Sequence, residues 1–262
     1  MKELLLKGAE QMGVAMTAEQ AQAFCEYHRM LVSANKTMNL TRISDDPAEA
    51  VDRNYLDSIA PLKYPLPEGT KTLVDVGSGA GFPGIPLSIL LPQVQVTLID
   101  SLEKRVKFLE SVIRELGLNA RAMHLRAEIA GKEIALREQF DLATSRAVAS
   151  MNLLCEFTLP LVRVGGTMIA YKGPAWEEEL AAAQRALEKL GGRYVRTLPA
   201  PVPGRDWNHT LIYVEKAAPT PAAYPRRPGV PEKKPLSRPE RSPFAFTAFT
   251  KLRRNLDLMV IL

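Results

Sequence analysis

The sequence predicts an α/β protein in which a mostly parallel, doubly wound sheet follows an N-terminal helical extension. From Thr72 onward, short β-rich runs alternate with helical runs, which is the pattern of right-handed βαβ units. Before Pro65, apolar residues recur instead at helical spacing. We therefore divide the chain into a helical extension at 1–66, a sheet domain at 67–217 and a basic, proline-rich tail at 218–262.

Two helix starts are visible in the extension. Thr17 and Gln20 form a capping box ahead of an apolar stripe. Asp46 is the predicted N-cap of a further helix that runs towards Ile59, because a first-turn proline and a glutamate that can return to the cap follow it. The extension should therefore contain at least two helices.

Seven strands are predicted, the last two as an antiparallel pair. They lie at 72–76, 95–100, 120–125, 141–145, 166–171, about 193–198 and 209–215. Helices are predicted between them at 85–91, 103–116, 151–161 and 175–189. Eleven of the twenty prolines lie between Pro199 and Pro243, so we expect little regular structure beyond Val214.

A glycine-rich loop follows the first strand. Gly77, Gly79 and Gly81 stand at alternate positions before a helix that begins near Gly84. Glycine permits a tight turn with unusual backbone angles and a close approach of backbone N–H groups to a ligand. The loop therefore suits a nucleotide or nucleoside cofactor, and the N-terminus of the helix behind it favours negative charge.

The same loop has two interpretations. Residues 79–84 match the dinucleotide pattern G-x-G-x-x-G, but the first glycine of that pattern directly follows the strand. This chain has Gly77 there, and the spacing that starts from Gly77 does not fit. The acid-x-Gly-x-Gly-x-Gly form, which begins with Asp75, is the variant typical of methyltransferases that use S-adenosylmethionine (SAM). A nicotinamide site remains the alternative.

Two acidic residues follow the next strands. Asp100 ends the second strand, where a carboxylate can accept hydrogen bonds from both ribose hydroxyls, although it can instead cap the following helix. Ala127 and Glu128 follow the third strand, where a loop would reach an adenine edge, although Glu128 can also be an ordinary acid of a first helical turn. Both positions are predicted cofactor contacts.

Charge is unevenly distributed along the chain. The net charge is +5, but residues 225–254 alone carry nine Lys or Arg against two Glu, so the remainder is slightly acidic. Clustered cations release counterions from phosphates, which predicts contact with a polyanion. A solvated, disordered tail is the alternative.

Other features indicate a cytoplasmic protein that uses no metal. Cys25 and Cys155 lie in apolar helical patterns rather than in a paired or metal-ligand spacing. No apolar run approaches the ~20 residues of a membrane helix, and the start does not have the pattern of a signal peptide. His28, His124 and His209 lie in no catalytic spacing, so we interpret them as structural.

Nine segments between about residues 20 and 236 together match one family: NLT at 39–41, LDS at 56–58, DVGSGAGFPGIPL at 75–87, DSL at 100–102, KR at 104–105, AE at 127–128, SRA at 145–147, YKG at 171–173 and YPRRPG at 224–229. By these segments the chain resembles the bacterial 16S rRNA guanine-N7 methyltransferases, the RsmG or GidB family. It departs from the family at Asn54, where His is frequent, and after Leu236, where nothing matches.

The resemblance implies a class I SAM-dependent methyltransferase, with a Rossmann-like, seven-stranded, mostly parallel sheet. It implies SAM as cofactor and transfer of a methyl group to N7 of a guanine in 16S rRNA, presented as RNA or as the small ribosomal subunit. We expect a monomer. The predicted cofactor-binding residues are Asp75, Gly77, Gly79, Gly81, Phe82, Asp100, Ser101, Leu102, Ala127, Glu128 and Arg146. Phe82 is expected to cover the cofactor from water.

Cations provide the predicted substrate contacts. Arg146 and Lys172 end the fourth and fifth strands, the edge where open α/β sheets bind ligands, and are predicted to hold the flipped guanine or its phosphates as catalytic residues. As surface cations they would have no such role. The residues predicted to contact the RNA backbone are Arg126, Arg226, Arg227, Lys233 and Lys234. A nicotinamide-dependent oxidoreductase and a non-catalytic RNA-binding module remain alternatives.

Overall fold

The computed structural model describes residues 1–44 and 46–237, and there the chain forms three layers with a seven-stranded sheet in the middle. The strands are β1 Thr72–Val76, β2 Gln95–Asp100, β3 Ala120–His124, β4 Phe140–Arg146, β5 Val162–Lys172, β6 Gly192–Pro199 and β7 Thr210–Lys216. Their order is β3-β2-β1-β4-β5-β7-β6, and β7 alone runs antiparallel to both of its neighbours. The predicted sheet, with its final antiparallel pair, is confirmed.

Helices cover both faces of this sheet. They are α1 Lys2–Met12, α2 Ala18–Met38, α3 Pro47–Ala50, α4 Asp57–Ile59, α5 Gly84–Leu90, α6 Glu103–Leu116, α7 Ala127–Ala130, α8 Met151–Thr158, α9 Trp176–Ala182, α10 Gln184–Leu190 and α11 Val230–Lys233. A π-helical segment, Val51–Leu56, joins α3 to α4, and a 3₁₀ turn, Ala60–Lys63, follows α4.

The predicted helix starts of the extension are present. Thr17 and Gln20 form both bonds of the capping box, and the Asp46 carboxylate accepts from the backbone N–H of Ala48. Glu49 differs from the prediction: its carboxylate binds the Ser44 hydroxyl instead of returning to the cap. The helical run does reach Ile59, but through π-helical geometry.

Two hydrophobic clusters lie on opposite faces of the sheet. Leu73, Leu98 and Ile169 face α1, α2, α5 and α6, whereas Val74 and Met168 face α8 and α10. Parallel strands are buried on both faces because the crossover helices lie on both sides. The N-terminal helices share the first cluster with the sheet, so they form part of its core.

Two predicted helices differ from the observed ones, one in its length and the other in its continuity. The helix predicted at 151–161 ends at Thr158, because Pro160 has no backbone N–H with which to continue the helical hydrogen bonds. The helix predicted at 175–189 is divided into α9 and α10 by a break at Ala183.

The C-terminal segment, residues 218–237, packs against the domain. Apart from α11 it has little regular structure, yet Tyr224 and Leu236 join the cluster beneath α8. It is therefore folded onto the domain rather than solvated along its length. The remaining tail cations lie outside the described residues: Arg238, Arg241, Lys251, Arg253 and Arg254.

Within 1–44 and 46–237, no helix combines the length and the apolar character needed to cross a membrane. The same residues contain no group of three or more His, Cys, Asp or Glu side chains that could hold a metal ion.

Candidate active site

The glycine loop is anchored to the carboxyl end of β2. The N–H groups of Gly77 and Ser78 donate to the carbonyl of Ile99 at 2.8 and 3.1 Å. The N–H of Gly79 donates to Asp100 Oδ2 at 2.8 Å. These bonds draw the loop across the ends of β1 and β2, where a ligand of an open α/β sheet is expected.

Gly77 occupies a position that no other residue fits without displacement. Its φ is +73°, and a Cβ added there would lie 2.4 Å from Val148 Cγ2, on the loop that follows β4. Gly79 also has a positive φ, +61°, but an added Cβ would find no atom nearer than 3.9 Å. Glycine is therefore required at position 77 by the close approach of Val148, whereas at position 79 it is favoured by the backbone angle alone.

Asp75 lies underneath the loop, away from solvent. Its carboxylate is fully buried, accepting from Thr144 Oγ1 at 3.0 Å and from the N–H of Gly84 at 3.2 Å. Burial raises the pKa of Asp75 to about 6. The structure thus makes Asp75 a brace for the loop and for the start of α5, not the cofactor contact that the sequence predicted.

Asp100 joins two loops at the tip of β2. Besides Gly79, its carboxylate accepts from the N–H of Leu102 at 2.9 Å. Leu102 is the N-cap residue of α6, and no side chain caps that helix. The helix-cap interpretation of Asp100 is therefore wrong. A carboxylate oxygen has more than one lone pair, so Asp100 keeps the capacity to accept from a ligand hydroxyl.

A cleft of about 450 Å³ opens between these loops. This is within the roughly 300–1,000 Å³ typical of small-molecule sites. We call it the cofactor cleft, and its wall comprises Val76, Gly77, Ile99, Asp100, Ser101, Arg105, Leu125, Arg126, Ala127, Glu128, Ala147, Val148, Ala149, Leu153, Phe157 and Glu232. Six residues predicted from the sequence line it, five of them as cofactor contacts: Gly77, Asp100, Ser101, Ala127 and Glu128. The sixth, Arg126, was predicted to bind RNA.

Glu128 and Arg126 meet at the far end of the cofactor cleft. Glu128 is buried, and its Oε1 accepts from Arg126 Nη2 at 3.0 Å and from the N–H of Gly229 at 3.2 Å. Arg126 also donates to Glu232 at 2.9 Å. The C-terminal segment thus completes this wall. Sequence patterns did not indicate Glu232, because it lies about a hundred residues from its partners.

Phe82 is placed differently from the prediction. Its ring packs against Tyr27 and Tyr55, with centroids 5.6 and 5.7 Å away, and it lies outside the wall of the cofactor cleft. Tyr27 also donates to the carbonyl of Ala80 at 2.6 Å. Helix α2, through Tyr27, and the π-helical segment, through Tyr55, therefore support the glycine loop from behind. Gly79, Gly81 and Leu102 likewise lie outside the cleft wall.

Arg146, at the end of β4, belongs to a group that we call the edge cluster, with Asp57 and His209. Arg146 Nη1 donates to Asp57 Oδ2 at 2.7 Å, and its guanidinium lies 5.2 Å from the centre of the Phe82 ring. His209 Nδ1 lies 2.8 Å from Asp57 Oδ1. Although burial opposes ionisation of Asp57, the bonds from His209 and Arg146 hold its pKa below the usual value.

The edge cluster adjoins the cofactor cleft, because Ala147, the next residue after Arg146, forms part of the cleft wall. Arg146 itself does not line the cleft, so its predicted cofactor contact is not supported by the geometry. Asp57 and His209 were not predicted as site residues. Little in the sequence indicated either residue: Asp57 lies in a family segment, and His209 was interpreted as structural.

Lys172 has two internal partners. Its Nζ donates to Glu179 at 2.7 Å and to the carbonyl of Ala149 at 2.7 Å, and the side chain is 7% exposed. Glu179 also accepts from the N–H of Met151. The structure therefore places Lys172 as a link between β5, α8 and α9, and not as the substrate-binding cation that its position predicted.

The predicted RNA-binding residues of the tail separate into two kinds. Arg226 forms several bonds to Glu156, whose side chain is 1% exposed, including one of 2.6 Å between Nη2 and Oε2. Its role is to hold the C-terminal segment on α8, so the prediction for Arg226 is corrected. Arg227, Lys233 and Lys234 are exposed on the surface of the same segment.

The sheet order, the glycine loop and the acidic tip of β2 define a class I SAM-dependent methyltransferase. The family model described as GidB, rRNA small subunit methyltransferase G, matches residues 20–200. The chain belongs to this family. Membership of a methyltransferase family excludes the two alternative functions, a nicotinamide-dependent oxidoreductase and a non-catalytic RNA-binding module.

Curated relatives are similar over nearly the whole chain. Ribosomal RNA small subunit methyltransferase G of Lactobacillus johnsonii is 46% identical over 89% of this chain and 99% of its own length. The protein of the same name from Alkaliphilus metalliredigens is 43% identical over 90% and 98%. Among solved structures, a 16S rRNA methyltransferase of T. thermophilus in complex with AdoMet and guanosine covers 69% of this chain and 41% of its own, at 18% identity and a TM-score of 0.44.

Proposed function

We propose that this enzyme transfers the methyl group of SAM to N7 of a guanine in the 16S rRNA of the small ribosomal subunit. The observation that carries the proposal is the continuity of the cofactor cleft with the edge cluster, which contains Arg146, at the carboxyl ends of β1, β2 and β4. A nucleoside cofactor and a base can meet there. We further propose that the protein acts as a monomer in the cytoplasm.

The residues of the cofactor cleft suit SAM, which supplies an electrophilic methyl group on sulfur. We assign Asp100 to the ribose hydroxyls and Ala127 and Glu128 to the adenine edge, because all three line the cofactor cleft. The absence of a side chain at Gly77 lets Val148, on the facing part of the cleft wall, pack directly against the glycine loop. Glu128 is held in place by Arg126 and Gly229, so little of its side-chain freedom remains to be lost on binding.

Guanine N7 carries a lone pair and no proton, so its methylation needs no general base. The protein has to align N7 with the methyl carbon and sulfur and to exclude water. We assign to Arg146 the role of holding the guanine through its O6 or phosphate, and to Asp57 the role of orienting Arg146. Asp57 also offsets the charge of Arg146, which lowers the electrostatic cost of forming a cationic methylated base nearby.

The exposed cations of the C-terminal segment suit the RNA backbone. Arg227, Lys233 and Lys234 lie on the segment that also contributes Glu232 to the cofactor cleft. Phosphate contacts of this kind add affinity and fix orientation without reading sequence. We therefore assign them to positioning of the rRNA.

The proposal is tested by methyl transfer from labelled SAM to naked 16S rRNA, to intact small subunits and to a protein mixture as control. We expect incorporation into RNA, in at least one of its two forms, and not into protein. Cleavage specific for N7-methylguanine, followed by reverse transcription, should then give a single stop. Label in protein alone, or in RNA at an atom other than N7, would contradict the proposal.

A further inference from the structure

Three planar side chains gather beside the edge cluster. The guanidinium carbons of Arg53 and Arg205 lie 5.1 and 5.5 Å from the centre of the Trp207 ring. We call Arg53, Arg205 and Trp207 the stacking cluster. The Trp207 ring also lies 5.5 Å from the ring of His209, a member of the edge cluster.

The topology places this cluster at the ligand-binding edge of the sheet. Because β7 runs antiparallel to β5, Thr210 at its start pairs with Lys172 at the carboxyl end of β5. The loop before β7, which carries Arg205 and Trp207, therefore lies at that edge. Arg146 connects the two clusters, since its Nη1 donates to the carbonyl of Arg53 at 3.0 Å.

The cationic groups of the cluster are accessible. The side chain of Arg53 is 60% exposed and that of Arg205 is 35% exposed, and Trp207 is partly exposed. Arg53 pairs with Glu49, and Arg205 pairs with Asp52. The Arg53–Glu49 pair is solvent-exposed, so its guanidinium can exchange a carboxylate for a phosphate at small cost. The Arg205–Asp52 pair is partly buried, and the exposed part of the Arg205 guanidinium can add a phosphate contact to the one with Asp52.

We propose that the stacking cluster binds a nucleotide that flanks the target guanine in the RNA. The Arg53 guanidinium moves off the indole ring, the base stacks on the face that it leaves, and the two guanidinium groups bind neighbouring phosphates. Proteins that recognise RNA stack unpaired bases on aromatic rings and arginine planes in this way. The inference rests on the proposed function, because it assumes an RNA substrate whose target base reaches the edge cluster.

The fluorescence of Trp207 provides a direct test. The chain has two tryptophans, so Trp176→Phe leaves Trp207 as the sole indole. This variant is titrated with a 16S rRNA fragment that the wild-type enzyme methylates. We expect saturable quenching of the indole emission, with a midpoint equal to the Kd measured independently by filter binding. Unchanged emission at saturating RNA would overturn the inference.

Substitutions provide the second test. Trp207→Ala should raise the Kd for RNA about tenfold, with the Kd for SAM unchanged, and Trp207→Phe should restore most of the affinity. The double variant Arg53→Ala/Arg205→Ala should reduce the slope of log Kd against log salt by about one to two. Arg196→Ala is the matched control, because Arg196 is also an exposed arginine over an aromatic ring, 5.0 Å from the centre of Tyr213, but outside the stacking cluster.

The two proposals fail in different ways. Wild-type enzyme that methylates rRNA, combined with a Trp207→Ala variant that is folded and binds RNA as tightly as wild type, would overturn the stacking cluster alone. If Trp207→Ala does not fold, the double arginine variant decides, and an unchanged salt slope overturns the inference. Wild-type enzyme that methylates no RNA would overturn the proposed function and, with it, this inference.

Discussion

The cofactor cleft and the edge cluster are neighbours, but they are built from different chemical groups. At the cleft, the backbone N–H groups of Gly77 and Gly79 donate to the Ile99 carbonyl and the Asp100 carboxylate, both at the end of β2. In the edge cluster, Asp57 is bound by the side chains of Arg146 and His209, which follow it in the sequence by 89 and 152 residues. A site built from backbone is sensitive to an added Cβ, whereas a site built from side chains is sensitive to the loss of one partner.

The largest effect is expected from Gly77→Ala. The added Cβ would combine a left-handed backbone angle with a 2.4 Å contact to Val148, so the cleft wall must move. We expect the Kd for SAM, measured by calorimetry, to rise more than about 100-fold. Gly79→Ala is the matched control because it has a similar backbone angle and no contact nearer than 3.9 Å. Equal losses in the two variants would contradict the close-approach explanation.

Arg146→Ala should separate the edge cluster from the cofactor cleft. We expect kcat for methylation to fall about 100-fold, the scale of a misplaced substrate, with little change in the Kd for SAM. Arg163→Ala removes a comparable arginine–aspartate pair at the opposite end of β4 and β5, where Arg163 Nε lies 2.6 Å from Asp141. Its kcat should resemble wild type. Unchanged turnover in Arg146→Ala would refute the assignment.

Arg226→Ala extends the comparison to stability. It would leave the buried Glu156 carboxylate without its guanidinium partner, and we expect the free energy of unfolding to fall by about 2–3 kcal/mol. Arg227→Ala, on the exposed neighbour, should change it by less than about 0.5 kcal/mol. Urea denaturation measures both. A similar result for the two variants would mean that the C-terminal segment is not anchored by this pair.

The free energy of unfolding should depend on pH through Asp75. The dependence should have the opposite sign to that of a carboxylate in a surface ion pair. Burial raises its folded pKa to about 6, above the ordinary 3.8, so the unfolded chain loses this proton first. The contribution of Asp75 to stability therefore falls as pH rises from about 4 to 6, by about 2 kcal/mol.

Carboxyl-carbon NMR should detect this titration. Asp141 is the control: although burial opposes its ionisation, bonds from Arg163 and from the N–H groups of Lys71 and Thr72 lower its pKa to about 2. Titration of Asp75 near pH 4 would show that its carboxylate is hydrated in solution.

The smallest effect concerns the exposed tail cations. Neutralising Lys233 and Lys234 together should reduce the slope of log Kd against log salt for RNA by about one to two, with stability unchanged. Lys189→Ala, which removes an exposed cation at the end of α10, is the control. An unchanged salt slope would mean that the C-terminal segment stabilises the fold and does not contact RNA through these lysines.

Local patterns predicted the cofactor half of the molecule well. The strands, the turn at Gly77 and the acid at Asp100 follow from periodicity and spacing within about thirty residues. Phe82 was misplaced because a ring beside a loop can face either side of it, and only the packing of Tyr27 and Tyr55 decides which. Local sequence does not contain that information.

The residues around the proposed substrate site could not be predicted for a related reason. Charge patterns do not distinguish a free cation from one that is paired. Lys172 was therefore predicted as a catalytic residue and Arg226 as an RNA contact, although each has a carboxylate partner in the fold. Asp57 and His209 come together only when β7 is inserted beside β5. Such contacts depend on the tertiary fold and have no signature at short range.

The reversed direction of β7 also has an evolutionary consequence. By returning the chain to the carboxyl edge of the sheet, it allows one connection between two outer strands to carry residues such as Trp207 and His209 to the active-site rim. The glycine loop lies on other strands, and the buried anchors of this connection in the core are Ala200 and Val202, so its exposed residues can vary while the central strands keep their packing. Exchanging it between homologues would be a direct way to alter target preference and retain the same methyl donor.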